Sequence, residues 1–322
     1  MRHKIILWYN KNKQMIWKII VIMIISIFLI RSMVHILKKN MEQEQTDIIK
    51  SQKNTDVELN SVTLDENRST VSGKSMTKTQ INGVTKIDEF INCCNNNKIN
   101  EAYELLSEDC KSEMYPTIDE FKKYYYDKIF NGKKKNISVE NWVGYIYKVK
   151  YNDDALSTGV YNTDNTIQDY ISISKNTNDE MKLNINSYIG KQEINKQSSE
   201  KNVNIKVLEK YQYMDYEIYS FEVTNNSDIM ILLNNNNNAD AMYLRDENKI
   251  QYPAYTHEIS EAELKIASGE TKRIRIKYYN KYSSSRKIKS IVFSKIILNY
   301  YAYINYQNVG YYKNYGIIEI DI

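Results

Sequence analysis

A chain of 322 residues with 44 Lys and Arg, 40 Asp and Glu and 3 His has room for two ordinary domains beside a short N-terminal segment. Eight of the basic residues fall in the first 40 positions, which hold no acid, so the remainder sets 36 basic against 40 acidic residues, a net of −4. A mildly acidic body excludes nucleic-acid binding, which needs a positive stripe, and three cysteines, two of them adjacent (Cys93 and Cys94), exclude a full disulfide framework. A Cys94 to Cys110 bridge stays open beside the plainer reading of buried thiols.

The N-terminus is organised by the apolar run from Ile19 to Ile30. Twelve helical residues rise only about 18 Å against a hydrocarbon core of roughly 30 Å, so the flanks must contribute. The window 15–37 supplies about 35 Å, with Lys18 and Arg31 far enough from its midpoint to reach the headgroups and with Trp8, Tyr9 and Trp17 where interfacial aromatics belong. A cleaved signal peptide is the rival reading, and a buried soluble helix the third. No Ala precedes Ala102 and no Gly precedes Gly73, so small residues for cleavage are missing, and an uncleaved signal anchor is expected. Five bases ahead of the core against three behind it place residues 1–14 in the cytoplasm and everything after the anchor outside the cell membrane.

Residues 38–81 are polar, mix charges and show no apolar period, the composition of a flexible stalk with a root-mean-square reach of about 35 Å. Helical spacing follows in Val84, Ile87, Phe90, Ile91 and Cys94, which share one face, then in Ile99, Ala102, Leu105 and Leu106. Thr117 and Glu120 after Pro116 form a capping box for a third helix carrying Phe121, Tyr124, Tyr125 and Ile129. The pattern then switches to period two from Ile137 to Tyr151, read as one long strand, with further strands at Leu156 to Tyr161, Tyr170 to Ser174 and Met181 to Ile189. Helices followed by an antiparallel meander make residues 82–190 an α+β domain.

The runs Val84 to Ile91, Ala102 to Ser107 and Pro116 to Phe121 resemble the helical opening of extracytoplasmic domains of the nuclear-transport-factor-2-like (cystatin-like cone) superfamily. That resemblance implies helices packed on a curved four-stranded sheet. It also implies kinship with spacer domains of some penicillin-binding proteins and with the outer domain of the inner-membrane assembly component of type IV secretion machines. Enzymes of the superfamily place Asp, His or Tyr in the cone mouth, and residues 82–190 contain no His.

Residues 191–202 are polar and aperiodic and read as a linker. Beyond them nine strands are expected, from Val203 to Leu208, Tyr216 to Val223, Ile229 to Leu233, Met242 to Arg245, Ile250 to Tyr255, Leu264 to Ala267, Lys272 to Tyr278, Lys289 to Leu298 and Gly316 to Ile322. Their spacing makes residues 203–322 an all-β sandwich, and the order of strands and turns resembles the immunoglobulin-like domains of Gram-positive surface proteins, without a disulfide.

No glycine-rich phosphate loop, nucleophile elbow or metal-spaced His or Cys pair occurs. His257-Glu258 reads as a solvated strand end before an acid/base pair, and Asp153, Asp154 and Asp164 read as turn residues before a cation site. Tyr300, Tyr301, Tyr303, Tyr306, Tyr311, Tyr312 and Tyr315 read as sheet packing before a glycan or protein-docking surface. The sequence therefore assigns no catalytic, cofactor-binding or metal-ligating residue and no cofactor. It points to a single-pass envelope protein, not an enzyme, that binds or scaffolds other proteins, with a secretion or conjugation assembly as one setting. The alternatives are a receptor holding a lipid or cell-wall fragment in the cone cavity and an unrecognised hydrolase.

Overall fold

The computed structural model describes residues 70–71, 77–153, 166–234, 241–307 and 312–322. The expected cytoplasmic tail, the anchor window 15–37, most of the stalk and the strand expected at Leu156 to Tyr161 lie outside the described residues. Among the described residues no helix is long and apolar enough to cross a membrane. Residues 65–322 form one compact unit, and the other unit, residues 1–64, lies outside the described residues. The described part is a mixed α+β protein with mostly antiparallel sheets.

A two-residue strand, β1 (Thr70–Val71), precedes the helices. Helix α1 (Lys78–Asn95) takes in the last four positions of the expected stalk, because Thr77 and Gln80 build a capping box that apolar periodicity does not reveal. It buries the expected face of Val84, Ile87, Phe90, Ile91 and Cys94 and stops at Asn97, whose φ of 58° leaves the helical region. Helices α2 (Ile99–Glu104) and α3 (Glu108–Met114) follow, the latter capped by Ser107. The Thr117–Glu120 box then starts α4 (Ile118–Phe121), which runs through a π-helical turn, Lys122–Tyr126, into α5 (Asp127–Ile129). The wide turn and the short helices around it bring Phe121, Tyr125, Tyr126 and Ile129 to the core.

The expected long strand is a hairpin of β2 (Lys135–Val143) and β3 (Ile146–Asp153), reversed at Gly144, whose φ of +55° suits a tight turn. Residue 139 faces 149 and 137 faces 151, so odd positions oppose odd positions along the strands; a register shift beside the turn sets Val143 opposite Ile146, and the apolar alternation resumes at Tyr147. Period two therefore cannot distinguish this hairpin from a straight strand. With β4 (Ile167–Lys175) and β5 (Met181–Asn184) the sheet runs β1-β2-β3-β4-β5, antiparallel except for β1, which lies parallel to β2.

Residues 191–202, expected as a linker, belong instead to a ribbon made by β6 (Tyr188–Glu200) and β7 (Val203–Tyr213), joined at Lys201 and Asn202, both with positive φ. Two left-handed residues between paired strands give the turn whose twist suits a hairpin. An edge strand open to water on one side needs no apolar alternation, which is why β6 reads as a linker. The remaining strands are β8 (Glu217–Asn225), β9 (Ile231–Leu232), β10 (Met242–Asp246), β11 (Gln251–Pro253), β12 (Lys265–Ile266), β13 (Thr271–Tyr278), β14 (Ile288–Ile297) and β15 (Tyr315–Asp321). They form two sheets, β13-β8-β7-β6 and β11-β10-β14-β9-β12 with β15 on β14, which share one aliphatic core in which Phe221 meets Phe293 edge to face.

Bulges let the ribbon serve two cores. The β7–β8 register shifts between Val207 and Glu209, and the β6–β7 register shifts between Glu193 and Lys196. Before the bulge Val203, Ile205 and Val207 enter the core between the sheets; after it, Tyr213 and its partner Tyr188 enter the core under the helices. One extra residue reverses which face odd positions occupy. Glu113 of α3 completes the junction by accepting from Tyr213 Oη at 2.8 Å and pairing with Arg275 of β13.

Candidate functional site

The residues weighed from sequence do not converge. His257 and Glu258 sit on a 3-10 turn (Thr256–Glu258). His257 is largely exposed, and its Nε2 lies 4.0 Å from Glu258, whose carboxylate is also taken by Lys277 Nζ at 3.3 Å. Asp153 pairs with the buried Lys135, whose ammonium holds the Asp153 carboxyl below its usual range; Asp154 and Asp164 lie outside the described residues. Cys93, Cys94 and Cys110 are free thiols, and burial raises both buried ones, Cys110 to about 12. Among the described residues no group of three or more His, Cys, Asp or Glu is placed to hold a metal ion. The tyrosines expected in sheet packing split: Tyr300, Tyr301, Tyr303 and Tyr306 lie in a helix, α6 (Tyr300–Gln307), while Tyr315 opens β15.

Sequence reasoning passed over a buried acid. Asp169 of β4 is 5% exposed and accepts four hydrogen bonds. Its Oδ1 takes the backbone N–H groups of Tyr170 at 2.7 Å and Ser187 at 2.8 Å, and its Oδ2 takes the Asn186 N–H at 2.9 Å and the Tyr125 hydroxyl at 3.0 Å. Tyr151 Oη lies 2.9 Å from Tyr125 Oη; because Tyr125 donates to the carboxylate, Tyr151 donates to Tyr125. Burial pushes the Asp169 carboxyl up to about 6, although the four donors favour the ionised form. Asn186 and Ser187 have φ of 58° and 61°, a conformation costly for side-chain-bearing residues, and the carboxylate gathers their two N–H groups. A carboxylate held by four donors and almost wholly buried fastens β4 to the turn before β6 and presents no open face to a substrate.

A concave feature lies elsewhere. A groove of about 580 Å³ opens where the bulged ribbon leaves the core between the sheets. After the bulge Lys210 stands opposite Gln192 on β6 and Tyr219 on β8, and Gln212 stands opposite Glu217, so polar side chains occupy the face that carries Val203 to Val207 further along the strand. Glu217 and Tyr219 are buried at its floor, where Tyr219 Oη donates to Glu217 at 3.0 Å and Lys210 Nζ lies 3.8 Å from the same carboxylate. The far wall is the loop 280–288 between β13 and β14. Arg286 donates to the Asn280 side chain and, at 2.7 Å, to the Lys281 carbonyl, and its guanidinium lies 4.7 Å from the Tyr252 ring centre. Tyr282 N–H donates to the Met214 carbonyl at 2.8 Å, so the loop is held from both ends. Five basic and two acidic side chains line the groove. No motif search finds it, because its residues come from positions 192 to 288 and from Ile322 and are brought together by strand pairing; the run Ser283-Ser284-Ser285-Arg286-Lys287 is the one local hint.

No family model, curated protein or solved structure matches this chain.

Proposed function

We propose that the protein is a single-pass envelope protein whose extracytoplasmic part acts by binding and scaffolding rather than by catalysis. The observation that carries this reading is the state of Asp169: the acid most deeply placed among the tyrosines is fully engaged by Tyr125, Tyr170, Asn186 and Ser187. The receptor alternative loses support for the same reason, since beside Asp169 Phe121 stacks on Tyr125 and Phe130 meets Tyr151 edge to face. The hydrolase alternative lacks a converging acid and base, because His257, Glu258 and Asp153 are each exposed or ion-paired. Anchoring rests on the apolar window 15–37 and its flanking charges.

The finer fold readings belong here too. Helices followed by a largely antiparallel sheet favour a cone-like domain, and two sheets sharing an aliphatic core without a disulfide favour an immunoglobulin-like one. A tether confines such a module near membrane partners and raises its effective concentration, so weak contacts suffice.

The test is cellular. Replacing His257, Glu258, Asp153 and Asp154 together by Ala or Asn should leave complementation of a deletion strain intact, and releasing residues 41–322 as a soluble protein should abolish it at native expression. Loss on the polar substitutions together with full function of the released form would overturn the reading. A reporter fused after residue 50 should be active only outside the cytoplasm.

A further inference from the structure

We propose that the groove beside the 280–288 loop binds the phosphate group of a hydroxylated ester. Its charge is the first argument. The chain beyond residue 40 is net acidic, yet the groove gathers five basic side chains against two acidic ones, and Glu217 is already engaged by Tyr219 and Lys210. Such an imbalance along a concave wall attracts anions more strongly than the same charges spread over a convex surface.

The unspent donors are the second argument. Lys196, Lys281 and Lys287 line the groove and have no side-chain partner among the described residues. The backbone N–H groups of Ser283 and Ser284 likewise meet no acceptor among the described residues, although the loop carrying them is pinned by Arg286 and Tyr282. Successive loop N–H groups without an acceptor, beside a cationic cleft, suit an oxyanion.

Phosphate is favoured over carboxylate by the shape of the donor set. A carboxylate is planar and best met by the two-pronged fork of Arg, but the Nη1 prong of Arg286 is taken by Asn280 and Lys281, and its guanidinium lies against the Tyr252 ring. What is left comes from several directions, from lysines on both walls and from loop amides, which matches a tetrahedral anion. The volume, about 580 Å³, exceeds what a lone phosphate fills, and the Gln192 and Gln212 amides beside it offer both donors and acceptors to hydroxyl groups. A nucleic-acid strand is disfavoured because Tyr219 is buried and Tyr282 half-buried, leaving no open ring on which bases would stack.

The experiment is isothermal titration of the full chain in nonionic detergent with inorganic phosphate, glycerol phosphate and a short-chain phosphatidylglycerol below its micelle concentration. Glycerol phosphate should bind saturably at one site, more tightly than inorganic phosphate, and more weakly as salt is raised toward physiological ionic strength. The double substitution K281E and K287E should weaken binding by at least about tenfold. Lys206→Glu, which makes half that charge change on the opposite face of β7, should alter it by less than about twofold. Tighter binding of the lipid than of glycerol phosphate would assign the phosphate to a membrane source, and equal binding would assign it to the headgroup chemistry alone. Absence of saturable binding up to about 10 mM, a range covering weak small-ligand affinities, would overturn the proposal. So would a Lys206→Glu loss as large as that of the loop lysines. Neither result depends on tethering, so the cellular test of the preceding section stands or falls separately.

Discussion

The core under the helices and the core between the two sheets are built from one composition but different chemistry. Under the helices, Tyr103, Tyr115, Tyr125, Tyr126, Tyr147, Tyr151, Tyr188 and Tyr213 are buried with Phe90, Phe121 and Phe130; between the sheets, Ile, Val and Leu dominate around Phe221 and Phe293. Most of these hydroxyls find a partner, Tyr115 and Tyr188 being the exceptions, so the first core carries a polar lattice inside it. Tyr103 Oη donates to the Tyr115 carbonyl at 2.8 Å, Tyr147 Oη to the Gln80 carbonyl at 3.1 Å and Tyr125 Oη to Asp169 at 3.0 Å. The second core has almost no such lattice and is held by dispersion and burial, about 1.5–3 kcal/mol for each large apolar side chain. The contrast teaches that a tyrosine-rich sequence makes a dry core wherever strands alternate and a hydrogen-bonded one wherever short helices leave wide, irregular gaps for long side chains.

The largest expected effect breaks the apolar core. Phe293→Ala removes the partner of Phe221 at a site with no exposure and should cost about 3–5 kcal/mol, read as a fall in the denaturant midpoint. A loss below about 1 kcal/mol would mean that this core collapses around cavities and is not close-packed.

Next, Asp169→Asn attacks the lattice. An amide presents one acceptor oxygen and an N–H₂ group to four inward-facing donors, so about 2–4 kcal/mol should be lost. The pH dependence sharpens the test. A folded-state value near 6 above an ordinary 3.8 means that the native protein binds this proton more tightly than the unfolded chain. The resulting stabilisation is complete below about 3.8 and lost as the pH rises through 6. The stability gap between the parent and the Asn variant should therefore widen as the pH is lowered from 7.5 to 5. A gap that narrows over that range would show that the four donors hold the ionised form more firmly than burial penalises it.

The smallest effect has the opposite sign. Tyr278, in the apolar core, has a buried hydroxyl that meets no partner, whereas Tyr125 has two. Tyr278→Phe should be neutral or stabilising by up to about 1 kcal/mol, and Tyr125→Phe should destabilise. Thermal melts of the two variants side by side check this; destabilisation by both would mean that Tyr278 is satisfied in solution.

Much of the secondary structure was legible from local signals. The α1 face from Val84 to Cys94, the Thr117–Glu120 box and the nine strands beyond residue 203 all rest on periodicity or on caps within a few residues, and helix and strand formation respond to those short-range patterns. Pairing was not legible. The Gly144 reversal hides because the hairpin keeps odd residues opposite odd ones, and β6 hides because an edge strand need not alternate. The Tyr300 to Gln307 helix overrides a composition that favours strands, since aromatic residues are only weakly biased and packing of Tyr303 in the core decides. The groove depends on a bulge at Leu208 that turns Lys210 and Gln212 inward, and on a loop some 70 residues later in the chain that closes over them. The sequence by itself determined which segments are helix, strand or charged leader, because those follow from the order of side chains along a few turns. Only the tertiary structure decided that Asp169 is spent and that Lys196, Lys281 and Lys287 line one groove, because both are set by register shifts between strands far apart in the chain.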